Sequence, residues 1–140
     1  MTFSLNDDDL TLFRLRNNQQ IVGYQRYVSS KKPYYSKDRL WWQAQEIKYN
    51  IKDSYAKFKD LNQEWIFEND IIELKVENEL KKAVVLYSSA DQDYIAIETV
   101  TLKTIKRKKW VKNKMKKISY LFINNELIKY FKENNILNNE

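Results

Sequence analysis

Between Thr101 and Lys117 nine basic residues stand without a single acidic one: Lys103, Lys106, Arg107, Lys108, Lys109, Lys112, Lys114, Lys116 and Lys117. Cations packed this densely repel one another and attract a polyanion, so the segment is a candidate contact for nucleic acid phosphates or an acidic protein face. Trp110, in their midst, offers a ring able to stack on a base. Eight lysines to one arginine favour diffuse attraction over a shaped bidentate site. A solvated, mobile hairpin is the plainer account of the same residues. The aromatic cluster Tyr34, Tyr35, Trp41 and Trp42 is the other candidate surface. Neighbours on a strand point to opposite faces, so one of Trp41 and Trp42 is expected in the core and the other at a surface or interface. The carboxylates Asp60, Glu64, Glu68 and Asp70 are the hard ligands that Mg²⁺ takes. Nothing in their spacing sets them on one face, and no metal is expected. Asp60, Asn62 and Asp70 are better suited to side-chain to backbone bonds in turns.

Composition removes most other chemistry. The 140 residues include no Cys and no His, which excludes disulfides, the usual zinc sites, a thiol nucleophile and an imidazole base. One Gly excludes the Rossmann turn and the P-loop, which need several. Only carboxylates, Lys and Tyr remain as acid or base, so a binding protein without cofactor is expected rather than an enzyme. The formal charge is +6, yet outside the basic segment 16 basic residues face 19 acidic ones. No basic, apolar leader precedes Asp7, Asp8 and Asp9, and no apolar run approaches the roughly 20 residues of a spanning helix. An intracellular protein without a membrane partner is the expectation.

The elements that must carry these groups read as strands. Leu12 to Arg16 and Ile21 to Val28 flank the polar connection Asn17–Gln20, a hairpin. Tyr34, Tyr35, Leu40, Trp41, Trp42, Ile47, Tyr49 and Ile51 suggest a further aromatic strand region. Trp65 to Glu77, Leu80 to Tyr87 and Tyr94 to Leu102 continue the period-two pattern, with Ser88 to Asp93 as a turn. Ile118 to Ile123 reads as a last strand. Asn124 then caps a short helix in which Leu127, Ile128 and Phe131 share a face, there to plug the barrel or dock a partner. From Asn134 the chain is expected to fray. The expected fold is mainly β with one C-terminal helix (α+β): a small antiparallel barrel or sandwich, an SH3-like barrel among the forms considered, in a single domain over residues 1–140.

Two stretches carry a family resemblance. Residues 55–72, YAKFKDLNQEWIFENDII, resemble the YopX signature, roughly YTGLKDKNGKEIYEGDIV, and Leu121–Ile128, LFINNELI, is similar to that family's closing NIYENPELL. Leu12 to Val28 is a weaker match to its opening strands. Family glycines are replaced by Lys57, Gln63 and Asn69, and the proline by Asn125. Asn tolerates left-handed backbone, whereas Lys57 and Gln63 imply a reshaped turn. The resemblance implies a phage or prophage origin and a compact β-rich fold that often oligomerises; it implies no reaction.

The leading expectation is a small phage-encoded accessory protein acting in the host cytoplasm. It would bind and block a host protein or protein–nucleic acid complex, such as a defence complex in the manner of an anti-CRISPR protein. Direct nucleic acid binding through the 101–117 arm is the alternative. A sponge for a nucleotide signal, with lysines on phosphates and aromatics on bases between subunits, is a third.

Overall fold

A computed structural model describes residues 11–29 and 32–138. The chain gathers into two compact units, Met1–Phe58 and Lys59–Glu140, both built on antiparallel sheet. Asp7, Asp8 and Asp9 lie outside the described residues, as do Asn139 and Glu140.

The first unit holds β1 (Thr11–Asn17), β2 (Gln20–Ser29), β3 (Lys32–Ser36) and β4 (Ile51–Lys59), in the order β3-β2-β1-β4. The hairpin loop is two residues, Asn18 and Gln19, because Asn17 and Gln20 already pair. Asn18 supplies the left-handed residue (φ 56°); its backbone N–H donates to Asn50 Oδ1 and its side-chain Oδ1 accepts from Asn50 Nδ2, both at 2.9 Å. Gly23 is required by close approach. A Cβ there would lie 2.8 Å from the Ser36 carbonyl oxygen and 2.7 Å from Ile47 Cδ1.

The aromatic strand expected between Leu40 and Ile51 does not form. Residues 37–50 form no strand: they are a loop that makes one isolated β-bridge to the sheet, Tyr35 with Gln43. Ser36 and Asp38 explain this. The Ser36 hydroxyl accepts from Arg39 N at 2.8 Å, and Asp38 Oδ1 accepts from Leu40 N at 2.9 Å and Trp41 N at 3.0 Å. These side chains offer the backbone a turn in place of the ladder.

The second unit holds β5 (Trp65–Phe67), β6 (Asp70–Val76), β7 (Glu79–Ser88), β8 (Asp93–Glu98), β9 (Thr104–Lys106), β10 (Met115–Tyr120) and α1 (Asn125–Glu133). Its five-stranded sheet runs β10-β6-β7-β8-β9: a meander whose final strand returns to pair with the first. Two 3₁₀ turns, Arg107–Lys109 and Lys112–Lys114, precede that last strand. The β6–β7 turn is Glu77–Asn78, both left-handed (φ 53° and 67°), as a two-residue hairpin matching strand twist requires.

Several boundaries differ from those expected: Trp65 to Glu77 is two strands, β5 and β6, parted by a turn at Glu68 and Asn69, and β8 ends at Glu98, short of Leu102. The last strand ends at Tyr120, and Leu121–Ile123 form a 3₁₀ turn that buries Leu121 and Phe122. Beyond the helix the chain does not fray at Asn134. Ile136 N donates to Phe131 O at 2.9 Å, and Ile136 and Leu137 pack on the cluster of Ile71, Val84, Ile97, Leu121 and Phe131. Asn124 caps α1 as expected, accepting from Leu127 N at 3.1 Å, and Phe131 is fully buried.

A candidate polyanion-binding edge

The basic segment is an ordered connection between the two edges of the second sheet. It leaves β9 at Lys106, forms 3₁₀ turns at Arg107–Lys109 and Lys112–Lys114, and enters β10 at Met115. Two side chains pin it. Met115 is fully buried, and Trp110, 6% exposed, points inward with Nε1 donating to Ile105 O at 3.3 Å. Trp110 is therefore a structural anchor, and the expectation that it stacks on a base is overturned. The apolar period places it there: Ile105, Trp110 and Met115 are the segment's three buried residues.

The nine cations divide. Lys117 is turned inward, its Nζ 3.2 Å from the fully buried Asp70 carboxylate, donating to Trp65 O and lying 5.4 Å from the Phe67 ring. It closes the β6–β10 pair and does not belong to a binding surface. Arg107 is half-buried, 5.5 Å over the Trp110 ring and 3.4 Å from Asp93. Lys106 lies 3.5 Å from Asp91, and Lys112 donates to Gln63 Oε1 at 2.9 Å. Lys108, Lys109 and Lys114 are exposed on that connection, Lys116 at the start of β10, and Lys103 in the β8–β9 turn ahead of β9. A cleft of about 190 Å³ between Asp91, Asp93, Tyr94, Lys106, Arg107 and Lys108 marks where the acidic β7–β8 turn meets the edge.

Asp60 and Asp70 hold this connection in place. Asp60, 1% exposed, accepts from Asn62 N at 2.9 Å, Glu64 N at 3.0 Å and, across the sequence, Lys117 N at 2.9 Å. Asp70 accepts from Phe67 N at 2.7 Å. The turn roles expected of Asp60 and Asp70 are met. The reshaped turn expected at Lys57 and Gln63 is not, because Lys57 (φ 58°), Gln63 (φ 64°) and Asn69 (φ 73°) all keep the left-handed backbone that a glycine would adopt. At the far end of β8, the Thr101 hydroxyl donates to Glu98 Oε2 at 2.6 Å, which holds the Glu98 carboxyl below the ordinary glutamate range.

In the first unit the aromatic cluster splits. Trp42 is 3% exposed with the Arg26 guanidinium 4.7 Å over its ring, while Trp41 is 62% exposed. The division anticipated for the pair holds, although a turn and not a pleat produces it. Tyr35 is buried and its hydroxyl accepts from Gln25 Nε2 at 3.1 Å; Tyr34 is half-buried. Trp41 and Leu40 sit on the turn set by Asp38. Its carboxyl is held below the ordinary aspartate range by the N–H of Trp41 first, then that of Leu40 and the Ser36 hydroxyl.

One group of charged residues escaped the sequence reading. Arg14 and Arg16 converge on Asp53, all three buried: Arg14 Nη2 lies 2.9 Å from Oδ2, Arg16 Nε 3.0 Å from Oδ2, and Arg16 Nη2 donates to Oδ1 at 3.1 Å. The signal was present, since Leu12, Arg14 and Arg16 recur at period two on one strand face. Arginines at the alternate positions of a buried face call for a carboxylate on the neighbouring strand.

Compared with known proteins, the chain matches no family model, no curated protein and no solved structure. No helix among the described residues is long and apolar enough to cross a membrane.

Proposed function

We propose that this is a small non-catalytic accessory protein, of phage or prophage origin, that binds a host protein–nucleic acid complex in the host cytoplasm and blocks it by occlusion. The observation that carries the reading is the ordered basic edge. Its ammonium groups stand on a connection pinned by Trp110, Met115 and Lys117, so they are presented with less loss of chain freedom than a mobile arm would incur. The exposed Trp41, fixed on its turn, supplies the rigid aromatic anchor that interface energetics favour. The left-handed backbone at Lys57, Gln63 and Asn69 supports the YopX resemblance, which also motivates a homo-oligomeric form. Affinity capture from host cells with and without nuclease, followed by titration of the captured partner, tests the proposal. Inhibition ending at a fixed molar ratio supports it; loss of partner activity at far below equimolar protein overturns it.

Direct nucleic acid binding remains the second reading, favoured by the surplus of exposed lysine over acid along the edge.

A further inference from the structure

We infer that the basic edge recognises the phosphodiester backbone of a double-stranded nucleic acid, independent of sequence, and that Asp91 and Asp93 set its strength. This rests on the reading of the 103–116 edge as the contact surface. Single-strand binders combine cations with exposed rings on which bases stack. Among the described residues the β9–β10 connection exposes no ring, and the ring beside it, Tyr94, half-buried in the cleft with Lys106, Arg107 and Lys108, is packed edge-to-face on Tyr87 at 5.3 Å. Trp110 faces the core, and the nearest aromatics of β10 and the turn beyond it, Tyr120 and Phe122, stack on each other at 5.1 Å. The large apolar side chains exposed there are aliphatic: Val111 on the connection and Ile118 on β10. Ammonium groups with neither a stacking ring nor a guanidinium fork on a base edge respond to charge density. A duplex carries one phosphate per about 1.7 Å of axis, twice the density of either strand alone.

The acids explain a limit on that attraction. Asp91 and Asp93, on the β7–β8 turn, sit 3.5 Å from Lys106 and 3.4 Å from Arg107. Two of the edge's cations are thereby engaged before any phosphate arrives, Lys112 is held by Gln63, and Lys103, Lys108, Lys109, Lys114 and Lys116 are left to make contact. With about five phosphate contacts, log affinity falls with log salt at a slope near −4.5 on a DNA duplex.

Fluorescence anisotropy across a salt series tests this. The probes are DNA and RNA duplexes of about twenty base pairs in two unrelated sequences, with their separate strands. The expected result is duplex binding, alike for both sequences and roughly tenfold tighter than binding to either strand, with no quenching of Trp emission. Changing Lys108, Lys109, Lys114 and Lys116 together to Ser flattens the slope by about 3.6, and Asp91→Asn with Asp93→Asn steepens it by about one to two. Unchanged circular dichroism in both variants separates these effects from misfolding. Single strands bound as tightly as duplex, Trp quenching, or an unaltered slope in the aspartate variant overturns the inference. A nuclease-resistant partner with no duplex binding leaves occlusion standing and removes this inference; duplex binding without any captured partner does the reverse.

Discussion

The arginine cluster of the first unit and the lysine edge of the second apply opposite rules to positive charge. Arg14, Arg16 and Asp53 are buried together, each guanidinium using its fork on one carboxylate. The edge exposes compact ammonium groups on flexible stems and keeps its one arginine half-buried against Trp110 and Asp93. Arginine is the cation suited to the interior because its charge is diffuse and its donors are fixed; lysine keeps its hydration and belongs in water. The same formal charge is thus structural in one region and available in the other.

Breaking the buried cluster produces the largest effect. Asp53→Ala leaves two buried guanidinium groups without their shared carboxylate and is expected to cost about 3 to 5 kcal/mol in urea denaturation. The Ser substitutions at Lys108 and Lys109 are expected to change stability by less than about 0.5 kcal/mol. A comparable loss at both sites would erase the contrast between the regions. Tryptophan divides in the same way. Trp42→Ala should cost about 3 to 5 kcal/mol. Trp41→Ala should leave the denaturation midpoint in place and weaken capture of the partner.

A smaller effect of opposite sign is expected at the left-handed positions. Non-glycine residues there carry about 1 to 2 kcal/mol of steric cost, offset by the unfolded-state entropy a glycine would add. Lys57→Gly and Gln63→Gly are therefore each expected to stabilise by up to about 1 kcal/mol, and Asn69→Gly by less, read as shifts in thermal midpoint. The smallest effect concerns pH. The folded carboxyl of Asp38 titrates below its unfolded value of about 3.9, so the stabilisation is complete above that value and is lost as pH falls through the lower folded one. Emission from Trp41, read as the difference between the protein and its Trp41→Phe variant, should therefore hold down to about pH 4 and change only below it. Asp38→Asn should abolish that acid step.

The strands were legible wherever apolar residues alternate on one buried face, as in β6 and β7, and the helix was legible from its cap and its Leu127–Phe131 face. Three features were not. Leu40 to Ile51 has the composition of a strand, but Ser36 and Asp38 capture the backbone first, and a pattern of apolar residues does not register that competition. The basic segment read as one field of charge because periodicity among lysines is hard to see. Its hidden spacing is that of Ile105, Trp110 and Met115, which turns Trp110 and, two residues past Met115, Lys117 inward. Arg14 and Arg16 did not stand out in the sequence because their burial depends on a carboxylate 37 residues or more away.

The position of the basic connection has a kinetic consequence. Strands β6 to β9 pair with their neighbours in sequence and can form as a local meander, whereas Met115 pairs with Leu74 across some forty residues. Closing β10 onto β6 therefore comes late, and it must draw the crowded lysines together against their mutual repulsion. Added salt relieves that repulsion, so refolding of the second unit should accelerate with ionic strength over the range in which its hold on a polyanion weakens. A polyanion present during synthesis would act as a template for that last strand, and the bound protein would be the more slowly unfolding one.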